Sequence, residues 1–327
     1  KGLTGFQEPT WNTTEFSHIY DLDMSDNGTC IAVSGWLEGV VYIYNCTEKT
    51  GYNLHPGTHL ESWSDGFDEN TSIRVLDLSS NGRYLAVGGY NDSTETIVGL
   101  VKLYKDTWSG IDPNWINDKL PLEIMGIRVS DDGYAVLAID GEDDTLYYWA
   151  NSTQLSGSPV ANWTNSEIFY RFDASGSGDE VTAIIHNGDL YFWNESRTLV
   201  GTPPANWIKQ ESDYHEDVKV NHEGSLIAAI GYSEGYTKKN LLIYLANGTL
   251  IYNFTDPYGS PFEQLSMSRA GDVLAVAGSL KIFADTEIDY GDAPEVDDYG
   301  TIDGARHLID GLTYLGSSVD PDPNGQP

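Results

Sequence analysis

The string "GYSEG" at Gly231–Gly235 has the spacing of a nucleophile elbow, in which a serine on a sharp strand-to-helix turn attacks an acyl carbon. Its flanks argue otherwise. "SLIAAIGYSEGYTKKNLLIYL" reads as strand, polar loop, strand, so Ser233 is expected in a hairpin loop without the helix that an elbow needs. His55 and His59 in "LHPGTHLE", with Glu61 nearby, are of zinc-ligand type, but the Pro-Gly between them makes a loop and fixes no geometry. His186 and His222 stand in the turns "HNG" and "NHEG" with no acidic partner at fixed spacing. Acidic pairs such as Asp131–Asp132 and Asp140–Asp144 could act as acid and base on a glycosidic bond. In a chain with 50 acidic residues, chance pairing is the simpler account. No P-loop, CxxC or HExxH is present, and the chain is expected not to be an enzyme.

Other residues suggest binding or cross-linking. "DPDPNG" places Asp320, Asp322 and Asn324 at alternate positions before Gly325, like the first half of a calcium loop, although the distal bidentate acid is missing. Calcium is the one cofactor this suggests. The two cysteines, Cys30 and Cys46, lie in "GTCIAVSGWLEGVVYIYNCT", where strand patterns flank the turn "GWLEG". A hairpin folding about residue 38 sets them opposite each other, which predicts a disulfide in an oxidising compartment. Free thiols, or a metal held with further ligands that the sequence does not show, are the alternatives. N-glycosylation sequons begin at Asn12, Asn27, Asn45, Asn70, Asn91, Asn151, Asn162, Asn194, Asn247 and Asn253, mostly at turns or strand ends where a glycan could project. Asn-rich turns generate some by accident, but ten sequons together with an opposed cysteine pair read as secreted and glycosylated.

Charge narrows the partners. A formal net charge of -33, from 17 basic against 50 acidic residues, repels nucleic acid and anionic membrane. No apolar run is long enough to span a bilayer. An aromatic content of 12% supplies large side chains for a packed core.

The elements that must carry these residues are repeats. "IYDLDMSDNGTCIAVSG", "IRVLDLSSNGRYLAVGG", "IMGIRVSDDGYAVLAID", "YRFDASGSGDEVTAIIH", "HEDVKVNHEGSLIAAIG" and "FEQLSMSRAGDVLAVAG" share one grammar. Each has alternating apolar residues, a polar turn ending in Gly28, Gly82, Gly133, Gly178, Gly224 or Gly271, and then a more continuously apolar strand. A third strand follows, and Trp11, Trp63, Trp115, Trp163, Trp207 and Phe254 mark a fourth at the outer edge. Their recurrence favours packing over a sugar platform. Four strands repeated at this spacing predict an all-β, six-bladed β-propeller over residues 1–287, its last blade completed by the N-terminal strand around Trp11. In blade length and in its S-x-x-G-x-x-L-A turns the chain resembles WD40-like propellers, although it lacks their regular G-H and W-D words.

Residues 288–327 break the pattern and predict a short irregular segment. "DYGDAP" at Asp289–Pro294, then "YGT", "GARH", "YLG" and "NGQP", resemble a partial "DYGDAP" repeat of large bacterial and archaeal cell-surface proteins. Together with the sequons and the absent catalytic set, that resemblance implies a non-enzymatic, secreted glycoprotein: a building block of an archaeal or bacterial surface layer, sheath or extracellular filament. Its partners would be further copies, other cell-surface proteins and its own N-linked glycans. An adhesin or lectin, or a propeller glycan lyase or hydrolase, are the alternatives.

Overall fold

The computed structural model of the chain describes residues 18–35, 41–45, 59–63, 71–92, 97–105, 113–141, 144–209, 214–233, 238–256, 262–278, 281–284, 288–290 and 306–308. Six antiparallel sheets follow one another along the sequence. The first contains β1 (Ile19–Met24), β2 (Cys30–Gly35), β3 (Val41–Asn45) and β4 (His59–Trp63), in that order. The second contains β5 (Thr71–Leu78), β6 (Tyr84–Asn91), β7 (Val98–Lys105) and β8 (Trp115–Leu120). β9 (Ile124–Val129), β10 (Val136–Asp140), β11 (Leu146–Trp149) and β12 (Trp163–Asn165) make the third. The fourth is β13 (Phe169–Ala174), β14 (Val181–Ile185), β15 (Leu190–Trp193) and β16 (Trp207–Lys209). The fifth is β17 (Tyr214–Val220), β18 (Leu226–Ser233), β19 (Lys238–Leu245) and β20 (Leu250–Thr255). The sixth has three strands, β21 (Phe262–Met267), β22 (Val273–Gly278) and β23 (Lys281–Ala284).

One turn builds the first hairpin of every sheet. The six turn glycines have φ between +66° and +82°, where a side chain would be strained. A serine three positions earlier (asparagine in the fifth sheet) accepts the glycine N–H through its backbone carbonyl. Its side-chain oxygen also receives the backbone N–H that begins the second strand, as in Tyr84 N to Ser79 Oγ at 2.9 Å.

A second device recurs in the first strand. The pairing register skips Tyr20, Arg74, Met125, Tyr170, Glu216 and Glu263, so all six sheets carry a β-bulge at the same place. A bulge bends its strand and re-aims a side chain.

Burial is arranged between sheets. Five apolar clusters lie in series, each formed by residues of two consecutive sheets, and together they run from the first sheet to the sixth. The outer-strand tryptophans belong to this packing. Trp115 and Trp163 are fully buried, and their Nε1–H groups donate to the carbonyls of Ser152 and Ser196 at 3.0 and 3.1 Å. Trp207 donates likewise to Ala246 O at 2.8 Å while stacking on Phe192.

Three expectations are corrected. Among the described residues a closed, six-bladed propeller with four strands in each blade is not formed: the sheets are separate and open, and the sixth has three strands. The strand expected to complete it surrounds Trp11, which lies outside the described residues. On the first sheet Leu22 and Met24 are 59% and 54% exposed, whereas the corresponding Leu76, Ile127 and Leu265 are buried against a preceding sheet. Val273 and Ile282 of the sixth sheet are exposed too, so among the described residues an apolar seam lies between the last sheet and the first, with no cluster joining them. The disulfide argument fails on register: buried Cys30 faces Asn45, one position before Cys46, and Cys46 lies outside the described residues. The segment expected to be irregular holds an antiparallel pair, β24 (Ile288–Tyr290) with β25 (Arg306–Leu308).

Candidate functional site

The inner strands β1, β5, β9, β13, β17 and β21 stand side by side in chain order and line a cavity of about 530 Å³. Carboxylates tie them together. Asp23, Asp77 and Asp173, each five positions before its turn glycine, accept the backbone N–H of Leu78, Val129 and Val220 on the next inner strand at 2.7–2.9 Å. Asp21 and Asp217, two positions earlier, do the same with Leu76 at 2.9 Å and Leu265 at 2.8 Å. These charge-assisted bonds join sheets through side chain and main chain, where no strand ladder runs.

Arg128 occupies the aspartate position of β9 and holds both neighbours, with Nη1 2.8 Å from Asp77 Oδ1 and Nε 2.8 Å from Asp173 Oδ1. Although burial works against its charge, Asp173 and Asp77 keep the guanidinium firmly protonated. The two carboxyls differ by their other neighbours. Burial pushes Asp77 up to about 7, Arg128 opposes it, and Asp23 on its far side adds repulsion. Burial acts on Asp173 as well, but Lys219 and Arg128 flank it and hold it below the usual carboxylate range. Burial also raises Asp21, against the hydrogen bonds it accepts from Leu76 and Leu22.

At the turn end the channel is covered. Asp26 N donates to Ser80 O, Asp131 N to Gly176 O, Gly176 N to His222 O and His222 N to Arg269 O, all at 2.8–2.9 Å. Ser80 N reaches Asp131 Oδ1 at 3.3 Å. Arg269 then spans the seam to the Asp26 carboxylate. Asp131 Oδ2 receives His222 Nε2 at 2.5 Å and Arg269 Nη2 at 3.2 Å. Burial would raise Asp131, yet the hydrogen bonds from His222 and Ser80 bring it below its ordinary value. Gly176 must lack a side chain, because a Cβ there would lie 2.2 Å from His222 Cδ2.

The other end is the mouth, and the six bulge residues lie on that end of the inner strands. Met125 and Tyr170 line the cavity itself. Met125 is 54% exposed, Arg74 pairs with Glu123 at 2.7 Å while covering the Tyr20 ring, and Lys239 holds Glu216 at 2.5 Å.

The residues singled out in the sequence are scattered by the fold. Ser233 ends β18 opposite Lys238 in a strand hairpin, not at an elbow. Asp131 joins the turn cluster, whereas Asp132 caps its own turn and pairs with Arg197 at 3.0 Å. Asp140 accepts from Thr145 N and Tyr147 OH, and Asp144 pairs with His186 at 3.0 Å. His59 and Glu61 lie on β4, and His55 falls outside the described residues. So do Asp320, Asp322 and Asn324, together with Asn12 and Asn70. Asn27 accepts from Thr29 N inside its turn, Asn45 and Asn91 end strands, and Asn162 accepts from Ala150 N. Asn151, Asn194, Asn247 and Asn253 are exposed. The channel carboxylates and the His222–Asp131 contact escaped the sequence reading. Asp five positions before the turn glycine in three of the six repeats was the available signal.

Among the described residues no group of three or more His, Cys, Asp and Glu side chains could hold a metal ion, and no catalytic arrangement is assembled. Asp77, Arg128 and Asp173 do converge, but both carboxylates are already committed to backbone amides, so the trio is a strut. No helix among the described residues is long and apolar enough to cross a membrane, which leaves β-barrels untouched. These features define an all-β array whose inner strands surround one cavity.

No family model matches the chain, and no curated protein matches it in sequence. Its fold is similar to the β-propeller domain of Cps50 (Swd1) from Myceliophteria thermophila, with a TM-score of 0.58 and 14% identity over 84% of this chain and 85% of that one. It is also similar to the C-terminal WD40 domain of Sif2, with a TM-score of 0.55 and 14% identity over 81% of this chain and 68% of that one. Likeness at this identity bears on the fold alone, and it is a distant, partial match to WD40-type β-propeller domains. It also overturns the surface-protein expectation: the matched structures are WD40-type propeller domains, and no family model ties the C-terminal words to a cell-surface repeat. The reading as a secreted, glycosylated and disulfide-bonded component of a surface layer, sheath or filament is therefore set aside. Its archaeal or bacterial cell-surface location, and its adhesin and glycan-lyase alternatives, go with it.

Proposed function

We propose that the chain is a non-enzymatic interaction scaffold that receives a segment of a partner protein at the mouth of its channel. One observation carries this reading. Bulges place Tyr20, Arg74, Met125, Tyr170, Glu216 and Glu263 at the same position in all six sheets, on the end of the inner strands away from the turn cluster, and Met125 and Tyr170 line the cavity there. Such a rim mixes aromatic, thioether and charged groups, the composition of a protein-recognition surface. In this reading residues 1–287 are the scaffold, and residues 288–327, with the β24–β25 pair, are a separate unit.

Photo-crosslinking tests the placement. A photoreactive residue at Met125 or Glu263 is expected to capture the same partner. One at Val160, 88% exposed between β11 and β12, is expected to capture none of it. Capture from Val160 as strong as from the mouth would overturn the proposal.

A further inference from the structure

We propose that the outer edge of β20 is the docking site for a segment of this same chain, the residues around Gly291. The inference starts from a clip that joins neighbouring sheets at their outer rims. After β11 the chain runs back over the outer strand of the preceding sheet, where Gly157 O accepts the Ile116 N–H of β8 at 3.0 Å. After β15 it does so again. Gly201 forms a parallel bridge with Trp163 of β12, accepting from Thr164 N at 2.8 Å and donating to Asn162 O at 2.9 Å. Both glycines have positive φ, +66° and +73°, which a side chain would resist. Each clip satisfies backbone groups that an outer strand otherwise presents to water or to another chain.

Register shows where a further clip belongs. Trp115 pairs with Leu103, Trp163 with Tyr148 and Tyr252 with Ile243. Each partner stands one position before the third-strand aromatic, Tyr104, Trp149 or Tyr244, that lies opposite the third residue after the turn glycine. Trp115 and Trp163 are 2% and 1% exposed, but Tyr252 is 42% exposed, and Leu250 and Ile251 beside it are exposed too. Asn253, opposite Leu242, holds the place of Thr164, opposite Tyr147, so its amide points away from β19. β20 reads LIYNFT, an uncharged and largely apolar edge of the kind that recruits another strand.

Spacing names the occupant. Trp149 opposite Val136, Trp193 opposite Val181 and Phe283 opposite Leu274 are equivalent residues of three third strands. Gly157, Gly201 and Gly291 each follow them by eight positions, and Pro159, Pro203 and Pro294 come shortly after. The word "DYGDAP" therefore carries the clip's glycine at the clip's distance from its sheet. Clips fall on the preceding sheet, and the sheet before the sixth is the one that ends in β20. β24 stops at Tyr290, next to that glycine, and among the described residues β25 pairs with one of its two edges. In the docked arrangement Gly291 O accepts from Asn253 N and Gly291 N donates to Ile251 O. The C-terminal unit is thereby fastened to the rim of the fifth sheet.

Photo-crosslinking and amide exchange on the full chain test this. p-Benzoylphenylalanine in place of Tyr252 should join to residues 288–294 of the same molecule, read by peptide mapping of the monomer. Gly291→Val, which a left-handed backbone does not admit, should speed exchange of the Asn253 amide at least about tenfold, while Ala229 in the middle of the sheet keeps its rate. Gly291→Asn, which tolerates that backbone, should restore protection to within about threefold of the native chain. The proposal is overturned if the crosslink reaches a second copy or no part of 288–294. It is overturned equally if Gly291→Val leaves Asn253 unchanged, or if Gly291→Asn exposes it as much as Gly291→Val does. Should Ala229 quicken with Asn253 in Gly291→Val, the crosslink and Gly291→Asn decide.

Discussion

Replacing Asp77 with asparagine should change how stability depends on pH. The carboxyl is 11% exposed, is raised by burial from an ordinary 3.8 to about 7, and lies between Asp23 and Arg128. Its folded form therefore holds a proton that the unfolded chain releases. The native state binds more protons than the unfolded state between roughly pH 4 and pH 7, so stability falls as pH rises through that window and levels off above it. At about 1.4 kcal/mol for each pH unit, the whole window is linked to about 4 kcal/mol. Asparagine keeps an oxygen for the Val129 amide but does not titrate. Urea unfolding of both proteins from pH 4.5 to 8, followed by fluorescence and circular dichroism to check that the transitions coincide, isolates Asp77 from the other acids. The native protein should lose about 3 kcal/mol relative to the variant between pH 4.5 and pH 7. Parallel profiles would refute the reasoning, since they would mean that Asp77 is ionised throughout and that Arg128 prevails over burial.

Arg128→Met should destabilise by about 2 kcal/mol in denaturant, less than for a fully buried pair because the side chain is one-third exposed, and adding Asp77→Asn should recover part of the loss. Gly176→Ala should lower stability by about 1–3 kcal/mol, and combining it with His222→Ala should relieve most of that, because the clash is with the imidazole. A double variant no more stable than Gly176→Ala would show that the ring is not what limits the site. Trp163→Phe should cost about 1 kcal/mol through the lost bond to Ser196 O, whereas Trp163→Ala should cost about 3–5 kcal/mol through the cavity it leaves, both read from denaturant midpoints.

The repeat grammar was legible because it rests on local chemistry. A glycine at positive φ, a serine three positions before it and alternating apolar residues are read within one hairpin, and all six hairpins formed where the words recur. Closure was not legible, since it depends on contacts between segments far apart in sequence. The cysteine pairing failed for a smaller reason: the strand patterns do not fix the residue about which a hairpin turns, and a shift of one set Asn45 opposite Cys30. Long-range pairs were hidden as well. His222 and Asp131 lie 91 positions apart and meet only because both occupy the same place in the turn of their repeat. Lys219, Arg171 and Arg128 looked like scattered charges until β17, β13 and β9 were set around one cavity. The tryptophan marker was read correctly as packing in Trp115 and Trp163, but Trp63 ends its strand instead of starting it.

Among the described residues the seam leaves the six sheets as a row with two ends. In a ring every sheet leans on two neighbours, so none can loosen without disturbing both. Among the described residues five apolar interfaces join the six sheets, and the first and the last each have one where the middle four have two. Such an array unzips from its termini, as a stack of repeats does. Amide exchange should accordingly be slowest in β10, β14 and β15 and quicken towards β2 and β22. The Arg269–Asp26 ion pair works as a clasp across the gap, and because both side chains are about half exposed, salt alone should slacken it. The channel's width would then follow ionic strength, giving a molecule built from rigid sheets one soft direction in which to breathe.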